Sequence, residues 1–401
     1  MSLTPGPRVL GALLVSLTCV AHQPVDVLAQ TDLELRTAVD QLGDFEHTVR
    51  MESSRILRRA DPAVVVPMLV EALRSHPDSY VQFRAIVLMY GFDLPGRRAV
   101  FDEALESPND RVRAAAYEYF EQFPVRDVVP KLVAALETET SEFVRPYLVR
   151  ALAANADTTD VQERLIRDIE RGEEYFRGAV IEALGDYKAA YAVDALIDIA
   201  AEDGPLRDDA LLALGKIGDG RAVVPLAAVQ AEADESLQPL VSAAACLLDI
   251  DSESQFQYVA DVLGYGAQTS DGDSQELLRN AASGLAALAV AGNLGAIEVL
   301  FDVGVTAVDQ ARAPIAISIG TVAFRNPAIV RHALAARGPG AQDSSSVPEK
   351  ELMLLRDAFD LLDEDFAEER FYVLMRGDYW TSPEGSGNQS VAEAAIRILE
   401  F

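Results

Sequence analysis

Apolar and polar residues along this chain follow two nested periods. Within a stretch such as 205–219 (PLRDDALLALGKIGD), apolar residues recur three and four apart and so share one helix face. Degenerate copies of the stretch recur about every 31–33 residues. The marker of each copy is an apolar residue followed by arginine: Val49-Arg50, Phe83-Arg84, Val112-Arg113, Val144-Arg145, Phe176-Arg177, Leu206-Arg207, Leu278-Arg279 and, with alanine, Ala311-Arg312. Leu237-Gln238 fills the same slot with glutamine, and the steps between markers are 34, 29, 32, 32, 30, 31, 41 and 33 residues. Three and seven positions after the marker the residues are again apolar or small, as in Leu148 and Leu152, Ala210 and Leu214, or Val241 and Ala245. Together with the residue before the marker they form one packing column on a helix, and its mix of leucine and alanine lets neighbouring helices approach closely.

A helix with its own signature precedes each marker helix. Residues 64–73 (VVVPMLVEAL), 128–136 (VVPKLVAAL), 192–200 (AVDALIDIA) and 222–229 (AVVPLAAV) superimpose on the same period. Pro67, Pro130 and Pro225 occupy one slot, and proline is tolerated in a first turn, so that slot is expected to open each helix. Asp110 is expected to cap the helix carrying Arg113. The marker arginines are expected to be structural, with stems between units and heads on carbonyls or a neighbouring acid. Thr31-x-x-Glu34 reads as a capping box opening a first pair that ends near Leu57, and eight further pairs run to about Ala336. The 41-residue step is assigned to an enlarged loop at 264–275; its Asp271 and Asp273 lack EF-hand spacing and the closing glutamate. A Gly/Pro/Ser-rich break follows at 337–349, then a strongly helical stretch from Lys350 to about Met375, a turn-rich segment with Trp380, and a last helix capped by Ser390-x-x-Glu393. Arg376-Gly377-Asp378 matches an adhesion tripeptide by letter alone.

Charge narrows the partners. Against 34 Lys+Arg stand 64 Asp+Glu, a net −30, which repels phosphate backbones and anionic membranes and favours, if anything, a basic partner. Arg8, the short apolar run at 9–21 and Val27-Leu28-Ala29 form a secretory signal pattern, so residues 1–29 are expected to be removed and the mature chain to lie in the periplasm or outside the cell. Cleavage would leave Cys246 as the only thiol, in the apolar setting AAACLLDI, and it is expected to be a small core residue. The four histidines (His22, His47, His76 and His332) are scattered, and no His-x-x-x-His, His-Glu-x-x-His or Cys-x-x-Cys occurs. Paired acids such as Glu173-Glu174 and Asp208-Asp209 read as solvated surface. No metal, cofactor or catalytic set is therefore predicted.

The units at 143–156 (FVRPYLVRALAANA), 175–187 (YFRGAVIEALGDY) and 205–219 resemble the HEAT repeats of the bacterial class named after phycobilisome lyases, over residues 32–336. With the period, this resemblance implies an all-α fold: a right-handed α-solenoid of about nine HEAT-like helix pairs (30–336), a linker (337–349) and a helical C-terminal cap (350–401). At 8–10 Å per helix the array would be a rod or arc on the order of 80–90 Å long. Most proteins with such repeats are interaction scaffolds, so the expected function is an exported, non-catalytic scaffold or adaptor binding a protein or peptide. Bilin attachment and metal-assisted hydrolysis are the enzymatic alternatives. The HEAT-repeat hydroxylase of deoxyhypusine carries iron on His-Glu dipeptides, and none occurs here.

In HEAT arrays the second helices line the concave side, where positions two and five after each marker should face the groove. The candidate partner-binding residues are accordingly Tyr147, Arg150, Glu182, Asp209, Leu240, Ala243, Ala281, Pro314 and Ile317. They run from charged to apolar toward the C-terminus. Either a partner's helix or extended segment is expected on the apolar part, or the chain's own C-terminal helices fold back over it.

Overall fold

A computed structural model describes residues 32–92, 95–269, 273–337 and 349–361. The signal segment, Thr31, Trp380 and the helix expected after Ser390 lie outside these residues. The described chain is all helical, with twenty α-helices and no strand. In chain order they are α1 (Asp32–Asp40), α2 (His47–Arg59), α3 (Pro62–Ser75), α4 (Ser79–Met89), α5 (Arg97–Ala104), α6 (Asp110–Gln122), α7 (Val129–Thr138), α8 (Arg145–Ala154), α9 (Thr159–Ile169) and α10 (Glu174–Asp186). Then come α11 (Val193–Ala201), α12 (Arg207–Ile217), α13 (Val223–Glu232), α14 (Gln238–Leu247), α15 (Ser252–Gly266), α16 (Asp273–Val290), α17 (Leu294–Gly304), α18 (Asp309–Arg325), α19 (Pro327–Arg337) and α20 (Glu349–Leu361).

Every marker falls near the start of an even-numbered helix, from Arg50 in α2 to Arg312 in α18. Even helices pack on even helices in order from α4 to α20, and each odd helix from α1 to α17 leans on the even helix that follows it, while α19 packs on α18 and α17. Even helices form the inner row, since α12 and α16 touch past α14. Small residues make this possible. A Cβ on Gly185 would stand 2.8 Å from the Ala213 backbone, and one on Gly215 would stand 2.8 Å from the Ala244 backbone, so only glycine allows those two crossings.

Helix starts follow local chemistry. Single 3₁₀ turns at Arg126–Val128, Ala190–Ala192 and Gly220–Ala222 lead into α7, α11 and α13 at one common slot. Pro130 and Pro225 lie in first turns as expected, but Pro67 does not. Asp61 accepts from the Ala63 amide and Pro62 follows it, so α3 starts early and Pro67 becomes an interior residue. Asn109, not Asp110, caps α6, accepting from the Arg111 amide at 3.2 Å.

Two apolar cores result. One runs from Leu35 to Ala245, the other from Ala243 to Leu355; they meet along α14, and Leu212 of α12 packs against both. The stretch expected to cover the groove does otherwise in its described part. α20 buries Leu352, Leu354 and Leu355 and packs on α18 and α17, extending the even row by one helix. Among the described residues no single helix is long and apolar enough to cross a membrane.

Candidate functional site

The marker residues hold the units together. Arg177 Nε donates to the Ile169 carbonyl at 2.6 Å and Arg207 Nε to the Ala200 carbonyl at 3.2 Å, each at the end of the preceding odd helix. Gln238 does the same for the Gln230 carbonyl at 2.8 Å, which explains why glutamine can stand in the slot. Arg113 grips both oxygens of Glu139 at 2.8 Å and the Ser107 carbonyl at 2.9 Å, while Arg145 stacks 4.1 Å over Phe176. Carbonyls at a helix end have no partner within the helix, so these side chains satisfy groups the fold must otherwise leave open.

The unusual chemistry lies at the other end of the inner helices. The last turns of α6, α8, α10, α12 and α18 converge and bring together Glu121, Arg150, Glu182, Asp186, Tyr187, Lys216 and Arg325. Arg150 is almost completely buried. Its Nε donates to Glu121 Oε1 and its Nη2 to Asp186 Oδ2, both at 2.8 Å, and its Nη1 lies 3.6 Å from Glu182 Oε1. Lys216 Nζ donates to Asp186 Oδ1 at 2.8 Å, and the Tyr187 hydroxyl to Glu121 Oε1 at 2.8 Å. Arg325 enters from 204 residues away: it donates to Glu121 Oε1 at 3.1 Å and stands 3.4 Å from Asp186 and 3.6 Å from Glu182.

Electrostatics follow from the contacts. Burial works against ionisation of both Arg150 and Asp186. The three carboxylates nonetheless hold Arg150 above its ordinary range, and Lys216, Arg150 and Arg325 hold Asp186 well below the usual carboxylate range. Burial, with Glu121 alongside, pushes the Tyr187 hydroxyl up. Asp186 is thus a fixed anion among cations, unsuited to giving or taking a proton near neutral pH. Asp209 differs. It is open to water on the inner face but crowded by protein, and desolvation, then Glu182 and Asp208, push its carboxyl up to about 6. Among the described residues no group of three or more His, Cys, Asp or Glu is placed to hold a metal. Burial also pushes up the half-buried Cys246 thiol, whose Sγ contacts the Ser252 carbonyl at 3.5 Å.

The candidate groove residues divide. Arg150 and Glu182 lie in the ionic cluster, with Asp209 beside Glu182. Tyr147 is half-buried against Phe143, with rings 5.7 Å apart. Leu240, Ala243 and Ala281 are buried, which corrects the expectation of an open apolar wall. α14 and α16 approach so closely that these positions become packing positions: a Cβ on Gly284 would lie 2.8 Å from the Ala243 Cβ. Pro314 is half-buried, and of the apolar candidates only Ile317 is exposed, at 39%.

Sequence reading missed Glu121, Asp186, Lys216 and Arg325. Counting one turn further along the same face reaches eight positions past the marker for Glu121 and nine for Asp186 and Lys216. No local pattern marks Arg325, because its partners belong to other units. Of the expected rod or arc, the straight form fails at the same place. Three inner helices separate α10 from α18, which in a straight stack puts them roughly 32–40 Å apart, far beyond the reach of an arginine. The inner row therefore curls until the last turn of α18 reaches those of α6 and α10.

No known protein-family model matches the chain, and no curated protein matches it.

Proposed function

We propose that the chain is a HEAT-type α-solenoid, exported through its N-terminal signal segment, that acts as a non-catalytic scaffold or adaptor for a protein or peptide. The observation that carries this reading is the ordered stacking of like helices on like, α4 through α20, with marker side chains such as Arg177, Arg207 and Gln238 tying even helices to the odd helices before them. Such an array has no single active-site cleft; it offers a long surface whose repeats hold side chains at regular spacing. The binding face is the inner one, and its accessible part is acidic: Glu182 and Asp209 face water there, beside the half-exposed Tyr147. Fixed negative charge on a concave wall favours a partner with basic side chains.

Two experiments test the proposal. A photo-reactive amino acid at Asp209 or Tyr147 should yield a reproducible cross-linked protein in the cell envelope, whereas one at the buried Ala243 should not. Equal yields from all three sites would remove the inner face as the docking surface. N-terminal sequencing of the mature chain checks export: a start at Gln30 is expected, and a retained Met1 contradicts it.

A further inference from the structure

We infer that Arg325 is an ionic latch that holds the curled array shut, and that α14 is the pivot on which the array opens. The two apolar cores meet along α14, with Leu212 of the neighbouring α12 packed against both. α18 belongs wholly to the second core, and Glu121, Glu182 and Asp186 belong to helices of the first. α18 shares no extensive helix packing with α6 or α10; the junction is made by the Arg325 side chain on the three carboxylates. A contact across 204 residues that rests on charge is a link that salt can weaken without exposing a core.

The balance of charge favours a latch over a permanent strut. Arg150 and Lys216 come from neighbouring helices of the first half, and between them they already hydrogen-bond Glu121 and both oxygens of Asp186. Glu182, with Asp209 and Asp208 near it, is left with excess negative charge, and Arg325 supplies the missing cation from the far half. The Arg325 side chain remains 20% exposed and Glu182 43%, so water and ions reach this part of the cluster while Arg150 stays sealed. Opening would uncover the acidic wall around Glu182, which links the latch to the binding face proposed above. The latch itself stands on the geometry alone and does not depend on any partner.

Spin labels at Pro124→Cys and Ala328→Cys, both at exposed positions beside the cluster, report the gap between the two halves once the two native cysteines are replaced by alanine. In low salt the distance distribution should be short and narrow. Arg325→Ala should shift it outward by roughly 10 Å or more, about one helix diameter, with helical content unchanged. Arg325→Lys should shift it less, since charge is kept and the forked geometry lost. Raising salt from 0.1 to 1 M, which shortens the Debye length from about 10 to about 3 Å, should move the unsubstituted latch in the same direction. The salt series needs no Arg325 variant, so it decides the matter even if Arg325→Ala fails to fold. A distance that stays short and narrow at 1 M salt, or in a folded Arg325→Ala, overturns the inference.

Discussion

Between α6 and α12 the inner helices meet at their last turns through Glu121, Arg150, Asp186 and Lys216, whereas between α14 and α20 they meet through Ala243, Ala281, Leu285, Ile315 and Leu354. Long charged side chains link the last turns of these helices, which elsewhere approach as closely as Gly185 and Ala213 allow. Small apolar ones let helices close in, and closing in on the inner side alone bends the row, as the contact of α12 with α16 shows. One repeat pattern thus serves two purposes, set by what occupies the positions beyond the marker. The first half supplies the charged wall, and the second supplies the curvature that returns Arg325 to it.

Removing Arg150 should separate the halves most clearly. Arg150→Met leaves Glu121 and Asp186 buried with less compensation and should cost about 3–5 kcal/mol in urea unfolding. Leu285→Ala in the second core should cost a comparable amount, roughly 2–5 kcal/mol, through the cavity it creates. Acid distinguishes them: the Arg150→Met loss should shrink as pH falls through the carboxylate range, because protonation relieves the uncompensated Glu121 and Asp186, and the Leu285→Ala loss should not. Equal pH responses would erase the contrast.

The shared marker slot allows a finer comparison. Arg177→Met strands the Ile169 carbonyl and should cost about 1.5–3 kcal/mol, because a charged donor is lost. Gln238→Met strands the Gln230 carbonyl and should cost only about 0.5–1.5 kcal/mol, as a neutral donor would. Gly215→Ala drives a Cβ into the Ala244 backbone and should cost about 1–2 kcal/mol, despite alanine's better helix propensity. Thermal melts of the three variants rank them.

The smallest effect concerns pH. Asp209 has a folded pKa raised to about 6, above its unfolded value. Its contribution is therefore fully favourable below the ordinary aspartate range and is lost as pH rises through about 6. Asp209→Asn should raise stability at pH 7 by only about 0.5 kcal/mol, since the group is open to water, and should flatten the profile between about 4 and 6. Asp186 works the other way. Its depressed pKa means that its stabilisation is present at neutral pH and is lost on acidification below the usual carboxylate range. A titration of melting temperature from pH 7 downward should show both slopes.

Helix pairing was legible in the sequence because it is local. Val144-Arg145 and Phe176-Arg177 mark helix starts by residues that contact the adjacent helix, and such contacts recur with the period. The structural role of those arginines was legible for the same reason: eight copies of one side chain cannot all be a site. Curvature was not legible. It arises from small differences summed over several units, Ala243 against Gly284 or Gly215 against Ala244, and none of these breaks the pattern. Leu240, Ala243 and Ala281 were assigned to an open groove because their offsets are right for one in a gently curved array. The same offsets point into a neighbour when the array bends hard. Arg325 was invisible because its partners sit four and six helix pairs away in chain order from the helix that carries it.

Solution scattering from the full-length chain in low salt tests the central claim, that the array curls back on itself, without any substitution. A curled array predicts a pair-distance distribution with one broad, nearly symmetric peak and a maximum dimension clearly below the 80–90 Å or so of a straight stack of nine units. An asymmetric distribution with the long tail of an extended rod, unchanged between 0.1 and 1 M salt, would contradict it.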